Sequence, residues 1–370
     1  MKDNCIVAQS GGPTVAINAS LAGVIDGVKK SNKFTRVYGA IHGIQGVLDN
    51  NFIDLSLMAL SKFPLVNTLE LSPAMYLGSC RYKLPDFEVD SKPYEIIFDR
   101  FEEYQVAAFF YIGGNDSMDT VDKLSKYAKK IGSDVKIVGI PKTIDNDLCH
   151  TDHTPGFGSA AKYVASTMLE IAHDTYIYQI PSVVIVEIMG HKVGWLALYA
   201  GIAGGADIIL LPEIPYDIDV VVNAIRSRTK NGKNFTILAV AEGAISKENA
   251  ALTKKELKEK KKNGPVYPSV AYELGAQISE RTGQEIRVTV PGHMQRGGEP
   301  CPYDRVIATR LGAEAAEMIR RKEYGYMVAL NNNKIEKIPL ADIAGKLKMV
   351  DPKSDIIREA KDVGISFGDE

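Results

Sequence analysis

Short apolar runs alternate along this chain with longer stretches that carry apolar residues at helical spacing. The runs, rich in Val, Ile and Phe, fall at 5–9, 106–112, 135–140, 183–188, 206–211, 235–241 and 285–290. The helical stretches include 14–30, 117–131, 157–173 and 216–230. A strand that is buried on both faces reads as a continuous apolar run, and alternation with helices is typical of parallel sheets covered by helices. The pattern therefore predicts an α/β fold with mainly parallel sheets.

Length and composition narrow the class of protein. The chain has 370 residues, of which 45% are hydrophobic, and because domains commonly hold about 100–200 residues we expect two lobes. The net charge of −2 shows no basic excess of the kind that binds nucleic acids or anionic membranes. We therefore expect no nucleic-acid partner. Any site for an anion must be formed by a local cluster of positive charges.

The cysteines and the apolar stretches indicate where in the cell the protein is located. Four cysteines are widely spaced, with no C-x-x-C pair of the zinc or redox kind: Cys5, Cys80, Cys149 and Cys301. The N-terminus lacks the apolar region of a signal peptide, and the longest apolar stretch, 193–212, contains four glycines and Asp207. We expect a cytoplasmic protein that neither spans nor binds a membrane.

Polar, glycine-rich loops follow the apolar runs. In chain order they read SGGPT, GGNDS, PKTIDND, MGHKVGW, EG and PGHMQRGG. In parallel sheets, ligands gather at the carboxyl ends of the strands, where such loops lie. Gly11 and Gly12 precede Pro13 at a predicted helix start, where unpaired N–H groups and the helix dipole favour a phosphate. A tight turn that binds nothing explains this glycine pair equally well.

The second loop places Asn115, Asp116 and Ser117 directly after Gly113 and Gly114. Either Asp116 or Ser117 could simply cap the next helix. Capping needs one such residue, however, and leaves the two glycines and Asn115 unexplained. We therefore favour a ligand-binding loop.

The third loop sets Lys142 three residues before Asp145, with Asp147 two residues further on. Two carboxylates at this spacing can have different roles: Asp145 can accept a proton while Asp147 helps to hold a divalent cation. The lysine would lower the pKa of Asp145 and offer a positive charge to a phosphate. A plain salt-bridged turn is the alternative, and we assign Asn146 to turn geometry.

Cationic residues recur at the predicted strand ends and loops of this acidic protein. They are Arg81, Lys142, His191, Arg287, His293 and Arg296. A lone histidine is usually structural, but converging cations favour a substrate with several phosphates. The residues alone therefore predict phosphoryl transfer with a magnesium ion.

Taken in order, the motifs resemble the phosphofructokinase family over residues 4 to about 320. They read SGGPT, LGSCRY, GGNDS, PKTIDND, EIMGHKVGW, AEG and PGHMQRGGEPCPYDR. The resemblance implies two similar three-layer lobes with the active site in the cleft between them. Residues 1–155 plus about 297–345 would form the donor-binding lobe, and 156–296 plus the C-terminal segment the sugar-phosphate-binding lobe. It also implies a homodimer or homotetramer with shared active sites.

The resemblance also assigns roles to residues. Asp145 would deprotonate the 1-hydroxyl of fructose 6-phosphate, with Lys142, Thr143 and Asp147 as the other catalytic residues, and Asn115 and Asp147 would hold Mg²⁺. The donor would bind Gly12, Arg81, Gly114, Asp116, Ser117 and Lys142. The sugar phosphate would bind Thr143, Asp145, Met189, Gly190, His191, Glu242, Arg287, His293 and Arg296, with Arg287 reaching into a neighbouring subunit.

Two positions in the sequence indicate which phosphoryl donor the protein uses. Members of the family that use ATP typically have glycine where this chain has Asp116 and Lys142. An aspartate at the first position would repel the α-phosphate of a nucleotide, and a lysine at the second can reach pyrophosphate. The resemblance therefore implies a pyrophosphate-dependent 6-phosphofructokinase. The alternatives are dependence on ATP, a preference for sedoheptulose 7-phosphate, and a non-catalytic subunit that binds sugar phosphates.

Some positions depart from the family pattern. Asn115 stands where a magnesium-linked aspartate is usual, and His191 stands where an arginine commonly contacts the reacting phosphates. The segment 163–191 contains no lysine or arginine. An arginine that family members often contribute to the sugar-phosphate site of a neighbouring subunit is therefore missing. Ala22 and Asp26 occupy the places of the effector-binding arginines on the first helix, which predicts no nucleotide regulation of that type.

Overall fold

The computed structural model describes residues 3–57 and 65–370. The strands are β1 (Asn4–Gln9), β2 (Arg36–Ala40), β3 (Phe52–Asp54), β4 (Val106–Gly113), β5 (Lys136–Pro141), β6 (Ser182–Ile188), β7 (Ile208–Leu210), β8 (Phe235–Ala241), β9 (Glu285–Thr289), β10 (Tyr326–Asn331) and β11 (Lys334–Pro339). The helices are α1 (Ile17–Ser31), α2 (Gly43–Leu48), α3 (Leu65–Leu71), α4 (Lys92–Glu103), α5 (Asn115–Ile131), α6 (Phe157–Tyr176), α7 (Trp195–Ala203), α8 (Ile218–Lys230), α9 (Lys247–Ala250), α10 (Lys254–Asn263), α11 (Val270–Thr282), α12 (Pro302–Arg320) and α13 (Asp355–Asp362). Within these ranges, no helix combines the length and the apolar character that crossing a membrane requires.

The chain divides into two compact units. Unit 1 comprises Met1–Ser159 and Arg296–Lys348, and unit 2 comprises Ala160–Gln295 and Met349–Glu370. Each unit contains one sheet flanked by helices, so the predicted α/β class with parallel sheets is confirmed. The assignment of one unit to the donor and the other to the sugar phosphate stays a prediction.

The sheet of unit 1 has seven strands in the order β11-β10-β5-β4-β1-β2-β3. The pairs β1–β2, β1–β4, β4–β5 and β5–β10 are parallel, while the edge strands β3 and β11 pair antiparallel with their neighbours. Phe109, Phe110 and Tyr111 of the central strand β4 are almost completely buried. Helices therefore cover both faces of the middle of this sheet, as a continuous apolar run predicts.

The sheet of unit 2 has four strands in the order β7-β8-β6-β9, and all of its pairs are parallel. Its central strands β6 and β8 are buried along almost their whole length. Crossover helices connect parallel strands and leave the loops after the strands at one edge of the sheet. The loops after β6, β8 and β9 therefore share an edge.

Candidate active site

The loops after β1, β4 and β5 lie side by side at the carboxyl edge of the unit 1 sheet. Gly113 at the end of β4 pairs with Pro141 at the end of β5, and the Lys142 N–H donates to the Gly113 carbonyl at 2.9 Å. On the other side of β4, the Ser10 N–H donates to the Ile112 carbonyl at 2.9 Å. Parallel pairing therefore brings SGGPT, GGNDS and PKTIDND together.

Lys142 is buried against the glycine pair of the first loop. Its side chain is 2% exposed, and its Nζ donates to the Gly12 carbonyl at 2.7 Å. Gly11 has a φ of +82°, and a Cβ added there would lie 3.0 Å from the Lys142 Nζ. Glycine is thus needed at position 11 both for its backbone angle and for the approach of the ammonium group.

Arg296 lies against the second glycine of the pair. A Cβ added to Gly12 would lie 3.0 Å from Cζ and 3.1 Å from a terminal nitrogen of the Arg296 guanidinium. The sequence assigned Arg296 to the sugar phosphate, whereas the structure places it beside the predicted donor residues. Two cations therefore converge on Gly11 and Gly12, an arrangement that favours the binding of a phosphate.

A cavity of about 250 Å³ opens at the two glycines. It is lined by Gly11, Gly12, Pro13, Ser79, Cys80 and Arg81. Pockets for drug-sized ligands span about 300–1,000 Å³, so this space suits a small anion. The side chain of Arg81 is exposed at its rim.

One expectation about the first loop is wrong. The sequence placed Pro13 in the first turn of a helix, but α1 begins at Ile17 after an N-cap at Ala16. The residues between them form a separate turn in which the Ile17 N–H donates to the Thr14 carbonyl at 3.3 Å. Any anion at Gly11 and Gly12 would therefore meet loop groups and the two cations, not the start of a helix.

Burial sets the protonation of Lys142. Removal of the ammonium from water lowers its pKa from 10.5 to about 8, and the nearby charge of Arg296 acts in the same direction. Asp145 and Asp147 act in the opposite direction. Because a buried charge is stabilised by a counter-charge, this lysine is suited to receive an anion.

The turn that carries the two aspartates is held by its own polar groups. The Asp145 N–H donates to the Thr143 hydroxyl at 3.1 Å. Asn146 is buried and left-handed, with a φ of 53°; it donates to the Asp152 carbonyl at 3.2 Å and accepts from the Thr154 N–H at 3.1 Å. Asn146 therefore ties the turn to residues 152–154 as well as shaping it, a role that its identity alone did not reveal.

Asn115 lies against Asp147 of this turn. The Asn115 amide donates weakly to the Asp147 carbonyl at 3.4 Å, and burial raises the pKa of the Asp147 carboxyl. The Asn115 Oδ1 is buried and has no hydrogen-bond partner among the described residues. Carboxylate and amide oxygens are the ligands that Mg²⁺ uses, with substrate phosphates and water completing its shell.

No group of three or more His, Cys, Asp or Glu side chains could hold a metal ion in the described part of the chain. A site built from Asn115 and Asp147 would therefore depend on the donor phosphates for further ligands. This is the usual manner in which Mg²⁺ binds in phosphoryl-transfer sites. The residues present fit the ion.

The loop after β4 packs tightly around Gly113. The N-cap of α5 is Gly114, so the alternative in which Asp116 or Ser117 serves only as the cap is wrong. A Cβ on Gly113 would lie 1.9 Å from the Ser117 Oγ, which is buried. Asp116 instead points outward, in an exposed ion pair with Lys83 at 2.8 Å.

Predicted sugar-phosphate residues meet at the edge of the unit 2 sheet. The Gly190 and His191 N–H groups donate to the Glu242 Oε1 at 3.3 and 2.7 Å. The Met189 N–H donates to the buried side chain of Gln295 at 3.1 Å. Glu242 and Gln295 thus fix the loop after β6, and sequence reasoning missed Gln295 because an amide between His293 and Arg296 carries no charge signal.

Arg287 lies on β9, and His293 follows it in the loop after that strand. Arg287 forms ion pairs with Asp174 at 3.0 Å and Glu285 at 2.9 Å, and its guanidinium lies 4.8 Å from the centre of the Tyr178 ring. His293 is exposed in the short 3-10 helix Gly292–Arg296. Both side chains are accessible to a ligand or to a second chain.

Comparison with known proteins connects this geometry to a family. The family model described as phosphofructokinase matches residues 4–319. A protein of Spirochaeta thermophila named ATP-dependent 6-phosphofructokinase is 39% identical, over 98% of this chain and 97% of its own length. One of Propionibacterium freudenreichii with the same name is 35% identical, over 98% of each chain.

A solved structure shows the same fold. The crystal structure of a pyrophosphate-dependent phosphofructokinase from Nitrosospira multiformis matches with a TM-score of 0.84 and 29% identity, covering 99% of this chain and 92% of the other. The extent of the family match and the identity to full-length relatives together show that the chain belongs to the phosphofructokinase family.

Proposed function

We propose that this protein is a magnesium-dependent phosphotransferase that makes fructose 1,6-bisphosphate from fructose 6-phosphate with pyrophosphate as the donor. The observation that carries the proposal is the buried Lys142, whose Nζ lies against Gly11 and Gly12. A lysine that is removed from water in this way is stabilised by an anion placed beside it. The turn it belongs to also carries Asp145, the candidate base.

Family membership leaves the donor open. The relatives from S. thermophila and P. freudenreichii are named for ATP, and the N. multiformis structure is named for pyrophosphate. The choice of pyrophosphate rests on the residues of this chain. Lys142 and Arg296 place two positive charges against the glycines that line a small cavity. Asp116, which stands where members that use ATP typically have glycine, would crowd the further phosphate of a nucleotide.

The chemistry follows from the roles of these groups. Asp145 accepts the proton of the 1-hydroxyl as the sugar oxygen attacks the nearer phosphorus of pyrophosphate. The bridging P–O bond breaks, and inorganic phosphate leaves. Lys142 and Arg296 stabilise the charge on the transferred and departing groups. A bound Mg²⁺, held by Asp147 and Asn115, would neutralise phosphate charge and orient the donor.

We assign the acceptor to the residues of unit 2. Met189, Gly190, Glu242, Arg287 and His293 would bind the sugar phosphate, with His191 in place of the usual arginine. The loop that carries Gly190 and His191 is fixed by Glu242, so a ligand would meet a preorganised backbone.

Exposed apolar residues support a homo-oligomer. Tyr176, Ile177 and Ile180 are 76%, 71% and 64% exposed, and they adjoin Tyr178, on which Arg287 lies. Large exposed apolar patches often mark protein–protein interaction sites. We propose that this apolar segment contacts a second copy in a homodimer or homotetramer and brings Arg287 to the neighbouring site. The four free cysteines support a cytoplasmic location.

Activity should depend on the protonation of Lys142. We expect kcat/KM for pyrophosphate to fall as the pH rises through about 8, because the pKa of Lys142 is lowered to about 8 and only its charged form attracts the donor. A pH profile of initial rates measures this. Lys142→Arg is the control, since arginine stays charged over this range; the same decline in both proteins would show that Lys142 does not cause it.

Assays with two acceptors and two donors test the proposed function. Fructose 6-phosphate and sedoheptulose 7-phosphate are each offered with pyrophosphate or ATP in the presence of Mg²⁺, and the products are identified. Faster turnover of sedoheptulose 7-phosphate would show that this sugar, and not fructose 6-phosphate, is the preferred acceptor. The rival from another class, a non-catalytic sugar-phosphate-binding subunit, predicts phosphosugar binding by calorimetry without product under any combination.

A further inference from the structure

Lys348 binds the main chain of the candidate catalytic turn from a distant part of the sequence. Its N–H donates to the Asp147 carbonyl at 2.9 Å. Its Nζ donates to the Thr151 carbonyl at 2.8 Å and to the Asp152 carbonyl at 2.9 Å. One residue thus supplies three hydrogen bonds to the stretch that follows Asp145.

The stretch from Asp145 to Asp152 needs such support because its backbone is strained. Asn146 and His150 are left-handed, with φ values of 53° and 60°. Sparsely populated conformations of this kind persist only where the surrounding structure determines them. Without outside donors, the carbonyls of residues 147, 151 and 152 would lose protein partners that hold this shape.

Two side chains donate hydrogen bonds to the same carbonyl at the end of this stretch. Asn146 Nδ2 and Lys348 Nζ both donate to the Asp152 carbonyl, at 3.2 and 2.9 Å. Asn146 acts from within the turn and Lys348 from outside it. An ammonium group has three donors and can serve two carbonyls at once, which an uncharged side chain of similar length such as methionine cannot do.

The chain that follows Lys348 is anchored within unit 2. Lys348 is the last residue of unit 1, and Met349 begins the C-terminal part of unit 2. Within unit 2, the Val350 N–H donates to the Glu213 Oε1 at 3.0 Å, and the same oxygen accepts from the Gly194 N–H at 3.0 Å. The segment that directly follows Lys348 is therefore ordered by a hydrogen bond of its own.

We propose that Lys348 is a positioning residue for phosphoryl transfer, which holds the turn that carries Asp145 and Asp147 in its reactive shape. The inference rests on the proposed function, since it assigns the turn to catalysis. Lys348 acts through the main chain of residues 147–152. Its loss would displace the base and the metal-binding carboxylate together while leaving the acceptor residues of unit 2 in place.

The test compares Lys348→Met with Lys348→Arg and with Lys353→Met, which alters an exposed lysine of the same segment. For Lys348→Met we expect kcat to fall about 10- to 100-fold, the usual effect of losing a group that orients a reactive residue. The KM for fructose 6-phosphate should change less than about threefold. Lys348→Arg should recover most of the turnover, and Lys353→Met should match the wild type.

Hydrogen exchange provides a reading that does not depend on turnover. In Lys348→Met without substrates, the amides of Thr154 and residue 348 should exchange faster, since their acceptors lie in the turn. Peptides from β6 should exchange as in the wild type. Unchanged exchange at the turn, or unchanged kcat in an active protein, would overturn the proposal. A wild-type protein that is inactive with both donors would instead contradict the proposed function.

Discussion

Replacement of Asp145 by serine is expected to lower kcat by about 10²- to 10⁴-fold, the usual contribution of a positioned general base. The Asp145 N–H is held by the Thr143 hydroxyl at 3.1 Å, so the smaller side chain should leave the turn in place. Because the carboxylate would act mainly on the reacting hydroxyl, KM for fructose 6-phosphate should change far less than kcat. Steady-state kinetics with pyrophosphate measure both constants.

A matched substitution and a stability measurement complete this experiment. Asp342→Ser removes an exposed carboxylate of unit 1 and should leave kcat unchanged. Thermal melting should show that Asp145→Ser is folded. An Asp145→Ser protein that retains near-normal turnover would remove Asp145 from the role of base.

The second large effect concerns the donor. Replacement of Lys142 by glycine should lower kcat/KM for pyrophosphate by about 30- to 4,000-fold, because loss of one partner from a buried, hydrogen-bonded charge pair costs about 2–5 kcal/mol. The fold should survive, since the substitution also removes a buried ammonium whose pKa burial lowers to about 8. Lys142→Gly combined with Asp116→Gly should gain activity with ATP.

Asp116→Gly alone is the control for the donor experiment. Asp116 is exposed in its ion pair with Lys83, so its loss should leave turnover with pyrophosphate near that of the wild type. Initial rates with each donor, for the wild type and the three variants, give the comparison. If Lys142→Gly used pyrophosphate as well as the wild type, the buried lysine would have no part in binding the donor.

The strands that position the site were predictable from sequence because they are buried on both faces. The runs at 106–112 and 135–140 became β4 (Val106–Gly113) and β5 (Lys136–Pro141). β2 (Arg36–Ala40) and β3 (Phe52–Asp54) were not predicted. β2 alternates buried with partly exposed positions, and β3 has only three residues at the edge of the sheet. Neither gives the continuous apolar run that marked the others.

Part of the candidate site could not be predicted because distant residues form it. The order of the loops placed Lys142 and Asp145 near the glycine pair, as parallel sheets require. Arg296 and Lys348 reach the same region from positions about 150 and 200 residues further along the chain. The sequence named Arg296 as a candidate but did not place it beside Gly12. It gave no sign of Lys348, because a single lysine outside the motifs does not reveal its partner.

The parallel assay of pyrophosphate and ATP with fructose 6-phosphate and Mg²⁺ tests the central claim most directly. Purified wild-type protein should form fructose 1,6-bisphosphate with pyrophosphate, and much more slowly or not at all with ATP. Lys142 at the glycine pair and Asp116 in the next loop both predict this order. Turnover supported by ATP alone would contradict the assignment of the donor and the role given to both residues.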